Sequence, residues 1–138
     1  MNDMNDQKMK TLTTHTRELM KQKRNLLGIC LGHQAIAKEM GMEIEKLPEP
    51  AQGVQLKLIV SSNCYIKREE ERLGFYNSFC PIKKGFNAFI GPYNRYLPII
   101  REENISGFQF HPESIMSENG FEILRDELVR IFTCSSLL

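Results

Sequence analysis

One cysteine of this chain lies in a sequence context that could make it a nucleophile. The segment GICLGHQ (residues 28–34) directly follows two leucines, and it places Cys30 two residues from a glycine on either side. This pattern predicts a buried strand that turns sharply into a helix, with the cysteine at the turn. Glycines allow such a turn without Cβ clashes, and the helix N-terminus favours a thiolate, the reactive form of cysteine. Cys30 is therefore predicted to be a nucleophile.

A histidine and a carboxylate follow a second predicted strand, in the segment GFQFHPES (residues 107–114). The alternating phenylalanines indicate a half-buried strand that ends at His111. Glu113 is two residues further on, and residues two apart on an extended chain point the same way. His111 could then take a proton from Cys30 while Glu113 orients its imidazole. By itself, His111 would be more simply explained as a polar residue at a strand end; the cysteine turn favours the catalytic interpretation.

The two segments resemble the catalytic motifs of the class I glutamine amidotransferases, which use a cysteine triad. The nearer similarity is to the branch that serves chorismate-using enzymes: anthranilate, aminodeoxychorismate and phenazine-pathway aminodeoxyisochorismate synthases. The segments EPAQGVQLKLIV (residues 49–60) and ERLGFYNSF (residues 71–79) resemble the phenazine and anthranilate types most. The resemblance covers about residues 1–132. It implies a flavodoxin-like α/β fold with a mixed, mostly parallel sheet.

The resemblance also implies a role for each matching residue. Cys30 would attack the side-chain amide of L-glutamine, His111 would act first as base and then as acid, and Glu113 would orient it. The backbone N–H of Leu31 would be one oxyanion donor. His33, in contrast, is interpreted as a first-turn helix residue that bonds locally and has no catalytic role. The positions that match substrate-binding residues of the family are Gln34, Gly53, Ser78 and Phe79.

The start of the chain departs from the family pattern. In this family a Gly/Pro-rich loop precedes the cysteine turn and supplies a second oxyanion donor, and no such segment precedes Cys30. We therefore expect residues 1–138 to be a partial amidotransferase domain that lacks the first strands of the sheet, either as a fragment of a larger synthase or as a truncated gene product. Loss of one oxyanion donor costs about 2.7–4 kcal/mol of transition-state stabilisation. The chain alone is accordingly expected to be a poor enzyme.

Three functions are consistent with these observations. The leading one is a glutamine amidotransferase domain that hydrolyses L-glutamine and supplies ammonia to a chorismate-using synthase domain or subunit. The second is a non-catalytic, truncated remnant that only binds a partner. The third is another γ-glutamyl cysteine hydrolase, against which the segment Tyr-Asn-Ser-Phe at residues 76–79 argues.

Composition is typical of one soluble globular domain, with 41% hydrophobic and 25% charged residues in 138. A net charge of +1 gives no reason to expect a nucleic acid or a membrane surface as partner. Cysteines at positions 30, 64, 80 and 134 show no zinc spacing and no C-x-x-C pair. We therefore expect no metal ion and no cofactor, and a reducing, cytoplasmic setting.

Periodicity predicts the elements that position these segments. Helices are predicted over 7–23, over 34–40 as the continuation of the helix that begins directly after Cys30, and over 118–132. Strands are predicted over 26–29, 54–60, 73–79, 87–90, 97–101 and 105–110. The buried stripe of the first helix is predicted to contain Met9, Leu12, Leu19 and Met20. The charged run 67–72 is interpreted as a solvated hairpin turn, Cys80 as a small buried hydrophobic residue, and the tail 133–138 as frayed.

Overall fold

Helices and strands alternate along the chain in an α/β arrangement. The computed structural model of the protein describes residues 3–59, 70–82 and 96–136. In chain order the elements are α1 (Asp3–Lys21), β1 (Leu26–Ile29), α2 (Leu31–Glu39), β2 (Glu43–Lys46), β3 (Val54–Ile59), β4 (Glu70–Phe75), β5 (Phe79–Ile82), β6 (Ile99–Glu102), β7 (Ile105–Phe108) and α3 (Gly120–Ser136).

The central sheet is mixed and has the strand order β1-β7-β6 in the described part of the chain. β1 is parallel to β7, with Ile29 paired with Phe108, and β6 is antiparallel to β7. Because paired parallel strands end at the same edge of a sheet, the residues that follow Ile29 and Phe108 lie side by side. The sheet therefore brings Cys30 next to the segment that leads to His111.

Helices α2 and α3 pack on opposite faces of this sheet. The ring of His33 in α2 lies against Gly107, whereas Glu127 in α3 accepts a hydrogen bond from Ser106. Gly107 and Ser106 are neighbours in β7, and successive residues of a strand point to opposite faces. Helix α1 packs against α2. The sheet is thus covered on both faces.

A buried carboxylate anchors α3 to the sheet. Glu127 is fully buried and accepts hydrogen bonds from Arg101 Nε at 2.9 Å, from Arg130 Nε at 2.8 Å and from the Ser106 hydroxyl. Burial raises the pKa of Glu127, but these hydrogen bonds outweigh it, so the net shift is downward. Removing one partner from a buried ion pair costs about 3–5 kcal/mol. The cluster therefore fixes the position of α3.

Three phenylalanines form the core beneath the end of β7. Phe108 and Phe110 are stacked with ring centroids 4.7 Å apart, and Phe75 meets Phe110 edge-on at 6.1 Å. All three are fully or almost fully buried. This packing holds the chain that follows β7 against the end of β4.

Two smaller antiparallel pairs complete the described structure. β3 and β4 are paired from Val54 with Phe75 to Ile59 with Glu70. β2 and β5 are paired along their whole lengths, and Lys46 is opposite Phe79. The β3–β4 pair lies beside the segment that carries His111, because the backbone N–H of His111 donates to Gly74 O at 2.9 Å.

The strand predictions are partly wrong. The single strand predicted over 73–79 is two strands, since β4 ends at Phe75 and β5 begins at Phe79. The Asn77 side chain donates to Phe79 O at 2.8 Å, a local bond that competes with a continuous ladder. β2 was not predicted, because the sequence EIEK has only one apolar residue. Glu70–Arg72 belong to β4 instead of a turn; residues 67–69 and the strand predicted over 87–90 lie outside the described residues.

The helix predictions hold in position but differ in detail. α1 begins earlier than predicted, and its buried face contains Thr13 and Thr16, whereas Leu19 is 37% exposed. Each threonine hydroxyl donates to the carbonyl four residues before it, which allows burial without a lost hydrogen bond. α2 begins at Leu31, directly after the cysteine turn as predicted, and α3 continues through 133–136, where fraying was predicted.

Candidate active site

Cys30 forms the whole turn between β1 and α2. Its backbone adopts φ 57° and ψ −104°, an unusual conformation for a residue other than glycine. Its N–H donates to Phe108 O at 2.8 Å, and its carbonyl accepts from the N–H of Gln34 at 3.1 Å. The predicted sharp turn with the cysteine at its apex is therefore confirmed, and the turn is fastened to the end of β7.

The two glycines around Cys30 contribute unequally to this turn. A Cβ on Gly28 would lie 2.5 Å from the backbone C and O atoms of Gly32. A Cβ on Gly32 would have no described atom within 4 Å. The steric requirement predicted for both glycines thus applies only to the first.

Burial dominates the protonation of the Cys30 thiol. Burial raises the pKa of Cys30 most, and the negative charge of Glu113 raises it further. Hydrogen bonds from the backbone N–H of Leu31 and from the side chain of Gln109 lower it. The net shift is upward, whereas the helix N-terminus alone predicts a thiolate. The resting residue is consequently a thiol at neutral pH, and its reaction requires a base.

His111 and Glu113 make the contact that their spacing predicts. His111 Nδ1 lies 2.8 Å from Glu113 Oε2. Because a carboxylate only accepts hydrogen bonds, the proton lies on Nδ1 and leaves Nε2 with a free lone pair. Burial raises the pKa of Glu113, but the hydrogen bond from His111, a backbone hydrogen bond and the charge of His111 together outweigh it, so the net shift is downward. Glu113 is thus an anion that holds the His111 proton on Nδ1, and in this tautomer Nε2 of His111 can accept a proton.

The cysteine and the histidine lie at one edge of the sheet without being bonded to each other. Cys30 N–H is bonded to Phe108 O, and Cys30 Sγ is 3.7 Å from Gln109 Nε2, two residues before His111. Within the described part of the chain, no hydrogen bond joins Cys30 to His111. The fold therefore brings the two residues to the same region, and the thiol–imidazole contact itself stays a prediction.

Tyr76 lies between His111 and Gly53, a predicted substrate-binding residue. The Tyr76 ring meets the His111 ring edge-on, with centroids 5.2 Å apart, and its hydroxyl is 2.8 Å from Ser114 Oγ. Gly53 has φ +71°, and a Cβ there would lie 3.3 Å from the Tyr76 ring. Gly53 therefore lies near the histidine, and its positive φ explains why glycine occupies this position.

Of the other predicted substrate-binding residues, Gln34 and Phe79 lie beside the cysteine turn, and Ser78 precedes Phe79. Gln34 is 3% exposed, and its Nε2 donates to Phe79 O at 2.9 Å. The carbonyl of Ser78 accepts from the N–H of Leu47 at 2.8 Å. Leu31, the predicted oxyanion donor, begins α2 and is 38% exposed. Their contacts with a substrate stay predictions.

His33 was predicted to bond locally within its helix, and this prediction is wrong. It is fully buried, and its Nε2 lies 2.9 Å from Leu97 O, far away in sequence. Burial lowers its pKa to about 4, although the nearby carbonyls oppose the shift. The neutral ring packs against β7 so closely that a Cβ on Gly107 would lie 2.4 Å from Nδ1. His33 therefore packs α2 against the sheet.

Gln109 is a site residue that the sequence interpretation missed. It is fully buried, and its side chain bonds Gln34 at 3.3 Å as well as Cys30. The only signal for it was a polar residue between two phenylalanines of a predicted strand. Cys80, interpreted as a buried small hydrophobic residue, is confirmed as such at 1% exposure.

Among the residues that the structure describes, no group of three His, Cys, Asp or Glu side chains could hold a metal ion. No described helix is both long enough and apolar enough to cross a bilayer.

Comparison with known proteins decides the family. The family model described as glutamine amidotransferase class-I matches residues 3–131. The chain belongs to the class I glutamine amidotransferases. A phenazine-specific anthranilate synthase of Pseudomonas chlororaphis is 28% identical over 131 residues, which cover 88% of this chain and 20% of the relative. Component 2 of the anthranilate synthase of Archaeoglobus fulgidus is 31% identical over 105 residues, which cover 73% and 58%.

Solved structures show the same fold. The structure of a putative GMP synthase subunit from Thermoplasma acidophilum superposes with a TM-score of 0.76 at 21% identity and covers 96% of this chain and 69% of that one. Other relatives of this amidotransferase chain carry the name GMP synthase, at 29% and 30% identity. The α/β fold with a mixed sheet is therefore confirmed. The chain spans about a fifth of the Pseudomonas relative and 58% of the Archaeoglobus relative.

The two glycines of the turn provide a matched test of its geometry. Gly28→Ala is expected to lower the free energy of unfolding by about 1–3 kcal/mol, the usual cost of overpacking, because its Cβ meets backbone that cannot rotate away. Gly32→Ala is expected to be neutral or stabilising by up to about 1 kcal/mol, since alanine favours a helix. Urea denaturation measures both. Equal effects of the two substitutions would contradict this account of the turn.

The protonation of Cys30 has a direct chemical readout. Because burial raises the pKa of the thiol, the thiolate forms only at higher pH than in an ordinary cysteine, whose pKa is about 8.5. The rate of alkylation of Cys30 by iodoacetamide should therefore rise with a midpoint above about 8.5. Peptide mapping distinguishes Cys30 from the other cysteines, and Cys30→Ser is the blank. A midpoint well below that of an ordinary cysteine would show that the helix N-terminus outweighs burial.

Proposed function

We propose that this chain hydrolyses L-glutamine through Cys30, His111 and Glu113 and supplies the ammonia to a chorismate-using synthase. The observation that carries the proposal is the His111 Nδ1–Glu113 Oε2 contact of 2.8 Å, at the sheet edge where Cys30 forms the turn. It leaves an imidazole nitrogen free to accept a proton in a place where the cysteine needs a base. Membership in the amidotransferase family supports glutamine as the substrate.

The first half of the proposed reaction forms a thioester. Nε2 of His111 removes the proton of the Cys30 thiol, and the sulfur attacks the carbonyl carbon of the glutamine side-chain amide. The carbonyl oxygen becomes an oxyanion, which accepts a hydrogen bond from the N–H of Leu31 at the start of α2. When the intermediate collapses, the C–N bond breaks and the imidazolium of His111 returns its proton to the leaving nitrogen. Ammonia departs and a γ-glutamyl thioester remains.

The second half releases glutamate and restores the thiol. His111 takes a proton from a water molecule, whose oxygen attacks the thioester carbon. The C–S bond then breaks, and the proton passes from His111 to the sulfur of Cys30. Glu113 stays ionised throughout and stabilises the imidazolium in both halves, as expected for a carboxylate whose pKa is lowered by the histidine.

Residues on both sides of the cysteine are proposed to hold the substrate. Gly53 lies beside Tyr76, which packs on His111, and Phe79 bonds Gln34 next to the Cys30 turn. Backbone groups near these positions are suited to the charged amino-acid end of glutamine. This assignment follows the family motif.

The acceptor is proposed from the named relatives. The Pseudomonas chlororaphis relative is a phenazine-specific anthranilate synthase of which this chain matches about a fifth. A domain or subunit of that kind would receive the ammonia, with anthranilate, aminodeoxychorismate or aminodeoxyisochorismate as product. Ammonia released into neutral water is largely protonated and no longer nucleophilic, so the acceptor must be docked. Relatives named GMP synthase at similar identity favour a GMP synthase type of acceptor as the second candidate.

The triad can be tested with a diazo-ketone analogue of glutamine. The analogue should alkylate Cys30, and the rate should fall at least about a hundredfold in His111→Ala, because general base catalysis contributes about 10²–10⁴. Glu118→Gln, which removes an exposed carboxylate in the same segment as Glu113, should react like the parent protein. Mass spectrometry of peptides locates the adduct. Labelling outside Cys30, or unchanged labelling in Cys30→Ser, would end the assignment.

The acceptor can be tested by activation of glutamate release. Addition of a purified chorismate-using synthase component with chorismate should increase glutamate release by this chain, because the docked partner completes the ammonia transfer. A GMP synthase acceptor component with its own substrates is the matched comparison. Stimulation only by the GMP synthase component would replace the proposed acceptor. Stimulation by neither, with Cys30 labelling intact, would limit the proposal to a glutaminase.

A further inference from the structure

Two buried amides connect a backbone carbonyl to the sulfur of Cys30. The Gln34 side-chain nitrogen donates to Phe79 O at 2.9 Å and to Gln109 Oε1 at 3.3 Å. The Gln109 side-chain nitrogen in turn lies 3.7 Å from Cys30 Sγ. The described structure thus contains a continuous series of donors and acceptors that ends at the proposed nucleophile.

The direction of this series is determined at its far end. A backbone carbonyl can only accept, so the NH₂ group of Gln34 must face Phe79 O. Its second N–H then points to Gln109, which must turn its oxygen toward Gln34. The NH₂ group of Gln109 is therefore left facing Cys30. Sequence spacing cannot predict this orientation, because the three amide and carbonyl groups come from α2, β5 and the segment after β7.

Burial makes the arrangement rigid. Gln109 is 0% and Gln34 is 3% exposed, so water does not replace a lost hydrogen bond of either side chain. Phe108 and Phe110, on either side of Gln109, are stacked at 4.7 Å and fully buried. A buried amide without partners is costly, so the side chain stays in the position where its oxygen and nitrogen are both bonded.

We propose that Gln109, oriented by Gln34, is a positioning residue that directs the Cys30 sulfur and stabilises its thiolate by donating a side-chain N–H. This inference rests on the proposed function, in which Cys30 must become a thiolate before it attacks. An anionic sulfur accepts a stronger hydrogen bond than a neutral thiol, so a fixed donor favours the reactive form. The donor partly offsets the burial that makes the thiol hard to ionise.

Other ionisable groups act on the same sulfur and must be kept constant in a test. Glu113, in the segment after β7, raises the pKa of Cys30 by its charge, and His111 is bonded to that carboxylate. Cys80 in β5 is buried and is itself affected by the charge of Cys30. His33 in α2 is neutral above a pH of about 4. None of these residues is changed by a substitution at Gln109.

The test is the pH profile of Cys30 alkylation in Gln109→Met. Methionine is close in size to glutamine but cannot donate a hydrogen bond. We expect the alkylation midpoint to move upward by about half to one pH unit, so that the rate at neutral pH falls about threefold to tenfold, while the limiting rate at high pH is unchanged. Gln22→Met, in an exposed position after α1, should keep the parent profile. A parent-like midpoint in folded Gln109→Met would overturn the proposal.

A second variant separates positioning from folding. Gln34→Met should shift the midpoint in the same direction, because Gln109 loses the bond that orients it. The double variant should then show no more than the shift of Gln109→Met alone, since the two residues act in series. Additive shifts would contradict the series. If Gln109→Met does not fold, as judged by circular dichroism, a parent-like midpoint in Gln34→Met would overturn the proposal and an upward shift would support it.

The outcome can be distinguished from failure of the proposed function. Labelling of the parent protein by the glutamine analogue tests whether Cys30 is the nucleophile. Normal labelling without a midpoint shift in the variants would remove only the role of Gln109. A midpoint shift without any analogue labelling would support the hydrogen bond to the sulfur and remove the amidotransferase chemistry on which its purpose rests.

Discussion

The backbone turn at Cys30 is the constraint on which the rest of the site depends. A single residue connects a buried strand to a helix, and it does so in a conformation that only a well-packed environment sustains. The hydrogen bond from its N–H to Phe108 O ties this strained residue to the neighbouring parallel strand. Gly28 makes room for the returning helix, and His33 packs the helix against β7. Any disturbance of β7 would therefore move the sulfur as well as the histidine that follows.

A balance between burial and hydrogen bonds determines where the protons lie. At Cys30 burial prevails and the thiol is the resting form. At Glu113, whose side chain is 62% exposed, the hydrogen bonds and the charge of His111 together outweigh burial, and the carboxylate is the resting form. The His111 imidazole is thus bonded to an anion that can stabilise its charged form, and its contact with the Cys30 thiol stays a prediction. This division of protonation states matches what a thiol hydrolase requires before its substrate arrives.

Much of this arrangement could be predicted from residue types and spacings within short segments of the sequence. The turn at Cys30 was predicted from the glycines around it, of which only Gly28 is sterically required, and the His111–Glu113 contact follows from the two-residue period of an extended chain. Predictions failed where distant segments meet. The raised pKa of Cys30 comes from burial, which the helix N-terminus argument does not include. His33 bonds Leu97 instead of its own helix, and Gln109 had no local pattern to mark it. The predicted strand over 73–79 divides because Asn77 bonds the backbone at Phe79.

The amino-acid sequence by itself determined which residues are candidates for the proposed chemistry and which kind of turn presents the cysteine, because both depend on side-chain type and on spacing within a few residues. The family membership agrees with that interpretation. Only the tertiary structure decided the environment of those residues: the parallel pairing of β1 with β7, the burial that keeps Cys30 protonated, and the amide series that ends at its sulfur. These features depend on atoms that are far apart along the chain, and the distances between such atoms exist only once the sheet has formed.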